Sequence, residues 1–198
     1  MQVVVKNVFA VFCIPALFLL ASLAPANAQV VANSGEIAGN IGYDHTSYTP
    51  SDGPTSTHFL GFSSGYNVTH YLTALGEYKY DPLSNVDGAS YHSQLYGGAA
   101  RFNLHDLNRT VPYAIAGFGG YRLTGSESGT TVSVSHNGYY FNFGGGASVY
   151  LARNWGIRPE VRYERQHVTA DGENIHANVM DLSGSFFYQW GGTGRGKK

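Results

Sequence analysis

The stretch NWGIRPEVRYE, residues 154–164, decides the fold because apolar and charged side chains alternate along it. The odd positions from 157 hold Ile157, Pro159, Val161 and Tyr163, and the even positions hold Arg158, Glu160, Arg162 and Glu164. A period of two places these sets on opposite faces of a β-strand. The apolar face packs on a core in a soluble sandwich, whereas it contacts lipid in an outer-membrane barrel. Alternation alone leaves both architectures open.

The composition favours closely packed β-strands and excludes several other classes. The chain has 198 residues, with 26 Gly, 15 Tyr and only 13% charged residues. A long-helix protein would be rich in Ala, Glu, Lys and Leu, and a disordered chain would have few aromatic residues. The 12 Lys and Arg residues are balanced by 13 Asp and Glu residues, so no basic excess indicates a nucleic-acid partner.

Residues 1–28 are predicted to be a cleaved export signal. Lys6 gives a positive start, residues 8–23 are almost continuously apolar, and Ala26-Asn27-Ala28 has the small-x-small form of a signal-peptidase site. The alternative is a membrane anchor helix, which two prolines and the cleavage pattern disfavour. The single cysteine lies inside this segment, so the mature chain is expected to have no disulfide.

The spacing of the remaining segments separates the two architectures. Eight candidate strands are expected at about 35–45, 58–67, 71–81, 91–103, 112–123, 139–151, 156–166 and 177–190. Three links are short, and four are longer and rich in Ser, Thr, Gly and Asp: 46–57, 82–90, 124–138 and 167–176. Short turns alternating with long loops are typical of outer-membrane barrels. The sequence therefore predicts an all-β, eight-stranded antiparallel up-and-down transmembrane β-barrel over residues 29–190.

The aromatic residues favour the same interpretation. We expect ten of them to lie on the apolar face of their strands, mostly near strand ends: Tyr43, Tyr66, Tyr78, Tyr80, Phe102, Tyr113, Tyr121, Tyr163, Tyr188 and Trp190. Such rings would form girdles at the two membrane interfaces. The alternative is that they are core aromatics of a soluble sandwich.

Three segments resemble a known family over nearly all of the mature chain: residues 72–80, PYAIAG at 112–117, and residues 154–163. They look like the small OmpA-type, OmpX-like and opacity-like outer-membrane β-barrels of Gram-negative envelopes. The resemblance implies lumen ion pairs and insertion by the barrel-assembly machinery. The last strand resembles the family's insertion signal, formed here by Leu182, Phe186, Tyr188 and Trp190. The chain departs from the pattern by a tail, residues 191–198, which is expected to be a flexible periplasmic end.

The candidate site is formed by charged residues on the strand face opposite the apolar one. The predicted lumen ion-pair network comprises Glu77, Lys79, Arg101, Arg122, Arg158, Glu160, Arg162 and Glu164, with Glu36, Asp44 and Asp181 on the same parity. Side chains fill the interior of an eight-stranded barrel, and charges removed from water must pair. Two functions remain open: a plugged scaffold that exposes four loops for adhesion or envelope integrity, and a small porin-like channel.

A lipid-modifying enzyme is the third possibility, and the histidines argue against it. Six of them lie in or beside the predicted loops: His45, His58, His92, His136, His167 and His176. No compact His-x-Ser arrangement lies within a predicted lipid-facing strand, and no His-x-x-x-His spacing indicates a metal. We therefore expect no enzyme activity, cofactor, metal site or nucleic-acid partner. The expected partners are outer-membrane lipid and a surface ligand of the loops, and the expected state is a monomer.

Overall fold

Eight antiparallel strands form one closed sheet. The computed structural model describes residues 30–49, 56–82, 89–104, 107, 109–127, 133–170 and 173–191. The strands are β1 (Ser34–Thr49), β2 (Ser56–Asn67), β3 (Leu72–Pro82), β4 (Ala89–Asn103), β5 (Thr110–Glu127), β6 (Ser133–Tyr150), β7 (Trp155–Ala170) and β8 (Glu173–Gly191). Each strand pairs with its neighbours in sequence, and β8 pairs with β1 to close the barrel. The predicted fold class is confirmed. The proposed export signal and residues 192–198 of the tail lie outside the described residues.

The strand register sets the tilt of the barrel. Cross-strand partners followed once around the barrel lead from Ala38 back to β1 at Tyr48, ten residues further along. The intermediate partners are Ser63, Glu77, Gly97, Gly119, Tyr140, Gln166 and Ala177. Eight strands with this stagger tilt by about 40° from the barrel axis. The resulting bore is narrow enough for side chains from opposite strands to meet.

The strands extend well into the predicted long loops. β7 ends at Ala170 and β8 begins at Glu173, so the predicted loop 167–176 is wrong over most of its length. The predicted loop 124–138 likewise lies largely within β5 and β6. Ser, Thr and Gly are compatible with a ladder when the neighbouring strand satisfies their backbone groups. One end of the barrel therefore projects beyond the apolar band. We call this the outer end, and we call the end with the short turns 68–71 and 151–154 the inner end.

The outer face of the barrel is a continuous apolar surface. Its large side chains include Ile41, Leu60, Phe62, Phe118, Phe141, Val161, Leu182 and Phe186. Phe118 is 75% exposed and Ile41 is 65% exposed, a degree of apolar exposure that is compatible with lipid contact. In the described part of the chain, no helix is long and apolar enough to cross a membrane.

Strand β5 has the opposite parity from the one predicted. Tyr113 and Tyr121 point into the lumen, each only 4% exposed, and Arg122 points outward. Tyr121 pairs with the buried Leu95, which fixes the inward parity. The prediction failed because it assigned the charged residue to the lumen. A charge beyond the apolar band reaches water or headgroups and needs no lumen partner.

Pro159 interrupts one ladder without shifting the register. The β6–β7 pairs Gly146–Glu160 and Val149–Ile157 keep the same register, and no recorded pair joins the residues between them. Proline has no N–H to donate, so its strand loses a ladder bond. On its other side Pro159 pairs with Gly184 of β8, so the barrel stays closed.

Candidate functional site: the charged lumen

The inner half of the lumen is organised by one carboxylate that two arginines share. Arg101 on β4 donates from Nη1 and Nη2 to the two carboxylate oxygens of Glu36 on β1, at 2.7 and 2.6 Å. Arg158 on β7 approaches the same carboxylate at 3.3 Å. All three side chains are buried, with Glu36 only 2% exposed. A fork-to-fork pair of this geometry is the strongest form of side-chain ion pair, and the second cation offsets burial of the carboxylate.

A polar layer beneath this triad completes its hydrogen bonding. Arg101 donates from Nε to Asn103 Oδ1 and from Nη2 to Thr73 Oγ1, both at 3.2 Å. Thr73 Oγ1 donates in turn to Asn67 Oδ1 at 2.6 Å. Ser34 Oγ accepts from Asn67 Nδ2 at 2.8 Å. The guanidinium is therefore held from several strands, which fixes its position in the bore.

Apolar side chains pack together near the inner mouth of the barrel. A buried cluster there comprises Val30, Ala38, Val111, Tyr150 and Phe187. Tyr150 and Phe187 meet edge to face with ring centroids 5.1 Å apart. The guanidinium of Arg158 lies 4.4 Å from the centroid of the Phe187 ring, so the charged layer rests directly on the apolar one.

The middle of the lumen is spanned by an arginine clamp. Arg162 on β7 donates from Nη1 and Nη2 to the two carboxylate oxygens of Glu77, each at 2.7 Å. Its Nε donates to Glu160 Oε1 at 2.5 Å, and Tyr113 OH donates to Glu160 Oε2 at 2.7 Å. β3 and β7 are four strands apart in a ring of eight, so the Glu77–Arg162 pair crosses the full diameter of the barrel.

The outer half of the lumen is rich in carboxylates. Lys79 Nζ lies 2.7 Å from Asp44 Oδ2 and 3.1 Å from Asp181 Oδ2. Glu164 Oε1 accepts from Gln166 Nε2 at 2.6 Å. Asp81 Oδ2 accepts from Ser93 Oγ at 2.7 Å. These four acids surround a single lysine, and each of the three aspartates has one buried oxygen without a hydrogen-bond partner in the described structure.

Two small cavities lie among the charged side chains. The larger, about 40 Å³, is lined by residues that include Lys79, Arg162 and Glu164, and the smaller, about 10 Å³, lies near Arg101 and Glu160. These volumes are sufficient for one to a few water molecules. In the outer half a second apolar cluster comprises Leu95, Tyr121, Tyr140 and Val168. Among the described side chains, no group of three or more His, Cys, Asp or Glu could hold a metal.

Most residues of the predicted network lie in the lumen, and one lies outside it. Seven of the eight predicted residues point into the lumen: Glu77, Lys79, Arg101, Arg158, Glu160, Arg162 and Glu164. Arg122 lies on the outer face, so its predicted place in the network is wrong. Asp81 was overlooked, although it shares the parity of Glu77 and Lys79 at the end of the same strand.

The residues of the predicted insertion signal lie together on the lipid-facing side of β8. Leu182 and Phe186 are about half exposed, and Phe186 contacts Trp155 with ring centroids 5.5 Å apart. Tyr188 and Trp190 stack at 6.4 Å near the inner end of the strand. Their part in insertion remains a prediction.

Comparisons with known proteins identify the family. The barrel is similar to neisserial surface protein A, with 13% identity, a TM-score of 0.67, and coverage of 82% of this chain and 100% of that one. It is also similar to the attachment invasion locus protein Ail of Yersinia pestis (10% identity, TM-score 0.53, 79% and 99% coverage). The N-terminal barrel of Pseudomonas aeruginosa OprF gives 18% identity, a TM-score of 0.51, and 80% and 100% coverage. No curated protein sequence matches the chain. The sequence pattern of the outer membrane protein beta-barrel domain matches residues 16–186, and the chain belongs to this outer-membrane family.

Proposed function

We propose that the protein is a plugged outer-membrane scaffold, which stabilises the envelope and exposes its external rim, and does not conduct ions. The observation that carries this proposal is the Glu77–Arg162 bridge across the full diameter of the barrel. A bidentate pair between opposite walls occupies the axis along which an ion would pass. The apolar cluster at the inner mouth supports the proposal because it adds a second barrier.

The proposed scaffold acts by position and needs no catalytic group. Its lipid-facing band anchors it, and its lumen network ties non-adjacent strands together: β1 to β4 through Glu36 and Arg101, and β3 to β7 through Glu77 and Arg162. These cross-links add to the ladder bonds and resist flattening of the barrel. The external strand ends are then held rigidly enough to present a ligand surface.

Single-channel recording tests the proposal. Folding is first checked by heat-modifiable migration on a gel, and the protein is then inserted into a planar bilayer. We expect stable insertion with no conductance steps for the wild type and for Arg153→Gln, a control that removes an exposed cation from the inner turn. Reproducible steps in the wild type, with ion selectivity altered by Arg162→Gln, would refute the plugged scaffold.

The second candidate function is a narrow cation path, which the acidic outer half of the lumen favours. Four acids and one lysine next to a cavity would attract cations toward the axis. This function requires the Arg162 clamp to open. Cation-selective steps that become larger in Arg162→Gln would support the path over the scaffold.

A further inference from the structure

The charges that the structure describes are segregated between the two faces of the barrel. Every described acidic side chain, from Glu36 on β1 to Asp181 on β8, points into the lumen. The outer half of the lipid-facing surface instead carries Arg165 and several histidines, and no described carboxylate lies among them. A lipid-facing surface that offers cations without carboxylates is complementary to an anionic partner.

The basic side chains of this surface lie close together on β7 and β8. Arg165 is exposed and pairs across the sheet with Phe141 on one side and Asn178 on the other. His167 pairs with His176, and their rings meet edge to face at 4.6 Å. We call Arg165, His167, His176 and Asn178 the β7–β8 basic patch.

The patch is held in place by aromatic contacts. The His167 ring stacks on Tyr139 with centroids 4.7 Å apart and an interplanar angle of 10°. Tyr163 OH donates to Asn178 Oδ1 at 2.7 Å, so the amide oxygen is occupied and its N–H groups are left as donors. The Asn178 amide and the two imidazole rings are therefore held in place beside the exposed Arg165, and a ligand with several anionic oxygens is the best complement of this patch.

The height of the patch places it at the external membrane interface. Trp155 and Arg165 are ten residues apart on the lipid-facing side of β7. At a tilt of about 40° this span rises about 25 Å along the barrel axis, the height of an outer-membrane apolar band. Below Arg165 the same face continues with Val161, Met180 and Leu182, each about half exposed. Phosphate oxygens at the patch would thus have acyl chains directly beneath them.

We propose that the β7–β8 basic patch binds the phosphate of a phosphorylated glycolipid of the outer leaflet, of the lipid A class. Arg165 holds the phosphate through its guanidinium, Asn178 and the histidine N–H groups add donors, and the acyl chains lie along the apolar face below. This inference depends on the outer-membrane placement of the barrel and does not depend on whether its lumen conducts.

A lipid-binding titration tests the inference. The protein is held in micelles of a sugar-headgroup detergent, which contains no phosphate, and titrated with lipid A bearing its phosphates or with dephosphorylated lipid A. We expect the dephosphorylated lipid to bind about tenfold more weakly, as the loss of one charge-assisted contact gives. Arg165→Gln should weaken binding of the phosphorylated lipid by a similar factor, and Arg153→Gln, at the opposite end of the barrel, should leave it unchanged.

Three outcomes would overturn the inference. The wild type could bind phosphorylated and dephosphorylated lipid A equally well, or Arg165→Gln and Arg153→Gln could bind phosphorylated lipid A equally well. The third outcome is displacement of lipid A by an equal concentration of inorganic phosphate. The last would indicate a site for soluble anions. His167→Phe keeps the stack on Tyr139 and removes the ring N–H, and we expect it to weaken binding less than Arg165→Gln does. If Arg165→Gln fails the heat-modifiability check, the wild-type comparison of the two lipids still decides.

Discussion

Replacing Glu36 by Gln removes the one carboxylate that Arg101 and Arg158 share, while keeping the shape of the side chain. One carboxylate oxygen becomes an NH₂ group facing a guanidinium donor, so one bond at 2.6–2.7 Å is lost outright. Two arginines, each at most 5% exposed, are then left without a compensating charge. Breaking a buried ion pair on one side costs about 3–5 kcal/mol, and we expect a loss of that size in the free energy of unfolding.

Urea unfolding in lipid vesicles measures this loss. The two tryptophans, Trp155 and Trp190, both lie on the lipid-facing surface and report the transition by fluorescence. Ser64→Ala on the outer face is the matched control and should change the free energy by less than about 0.5 kcal/mol. In a double-mutant cycle with Arg101→Gln, the coupling energy should exceed about 1 kcal/mol. A loss below about 1 kcal/mol with additive single changes would show that water screens the lumen charges, and would refute the argument that the shared Glu36 carboxylate stabilises the barrel.

Further substitutions test other parts of the structure in the same unfolding assay. Gly119→Ala should destabilise the barrel by about 1–3 kcal/mol, since an added Cβ would clash with the Tyr96 carbonyl oxygen of β4. Gly39→Ala, with open space around the added Cβ, should be neutral or slightly stabilising, and equal effects of the two glycine changes would contradict this packing argument. Tyr113→Phe removes the donor to Glu160 and should cost about 1–3 kcal/mol, whereas an unchanged stability would mean that water replaces the hydroxyl.

The alternation in the sequence was sufficient to predict the sheet but not its full extent. Residues 154–164 alternate so regularly that the faces of β7 were predicted correctly, from Arg158 to Glu164. The outer ends of the strands were predicted as loops because Ser-, Thr- and Gly-rich segments are typical of loops. In a barrel the adjacent strand supplies ladder partners to any such segment, and that support is not visible in a single segment.

The sequence predicted which side chains point into the lumen, but it did not predict which of them pair with each other. A period of two assigns a side chain to the lumen, so Glu77, Lys79 and Arg162 were found from the sequence. The partners depend on the ten-residue stagger, which brings Glu77 on β3 opposite Arg162 on β7. Arg122 was misassigned because its charge was weighed and the parity of the buried tyrosine beside it was not.

The pairing of β1 with β8 has a consequence for chain connectivity. Ser34 is the register partner of Gly191, so the two ends of the described barrel lie side by side at the inner rim. Every other pair of neighbouring strands is consecutive in the sequence, so β1 and β8 are the one pair of neighbours that the chain does not connect directly. A short linker from Gly191 to Ser34 would add an eighth connection to the seven that join consecutive strands, and new termini could be opened at the inner turn 151–154 with every ladder kept. The barrel is thus a ring in which the order of the strands matters and the starting strand does not.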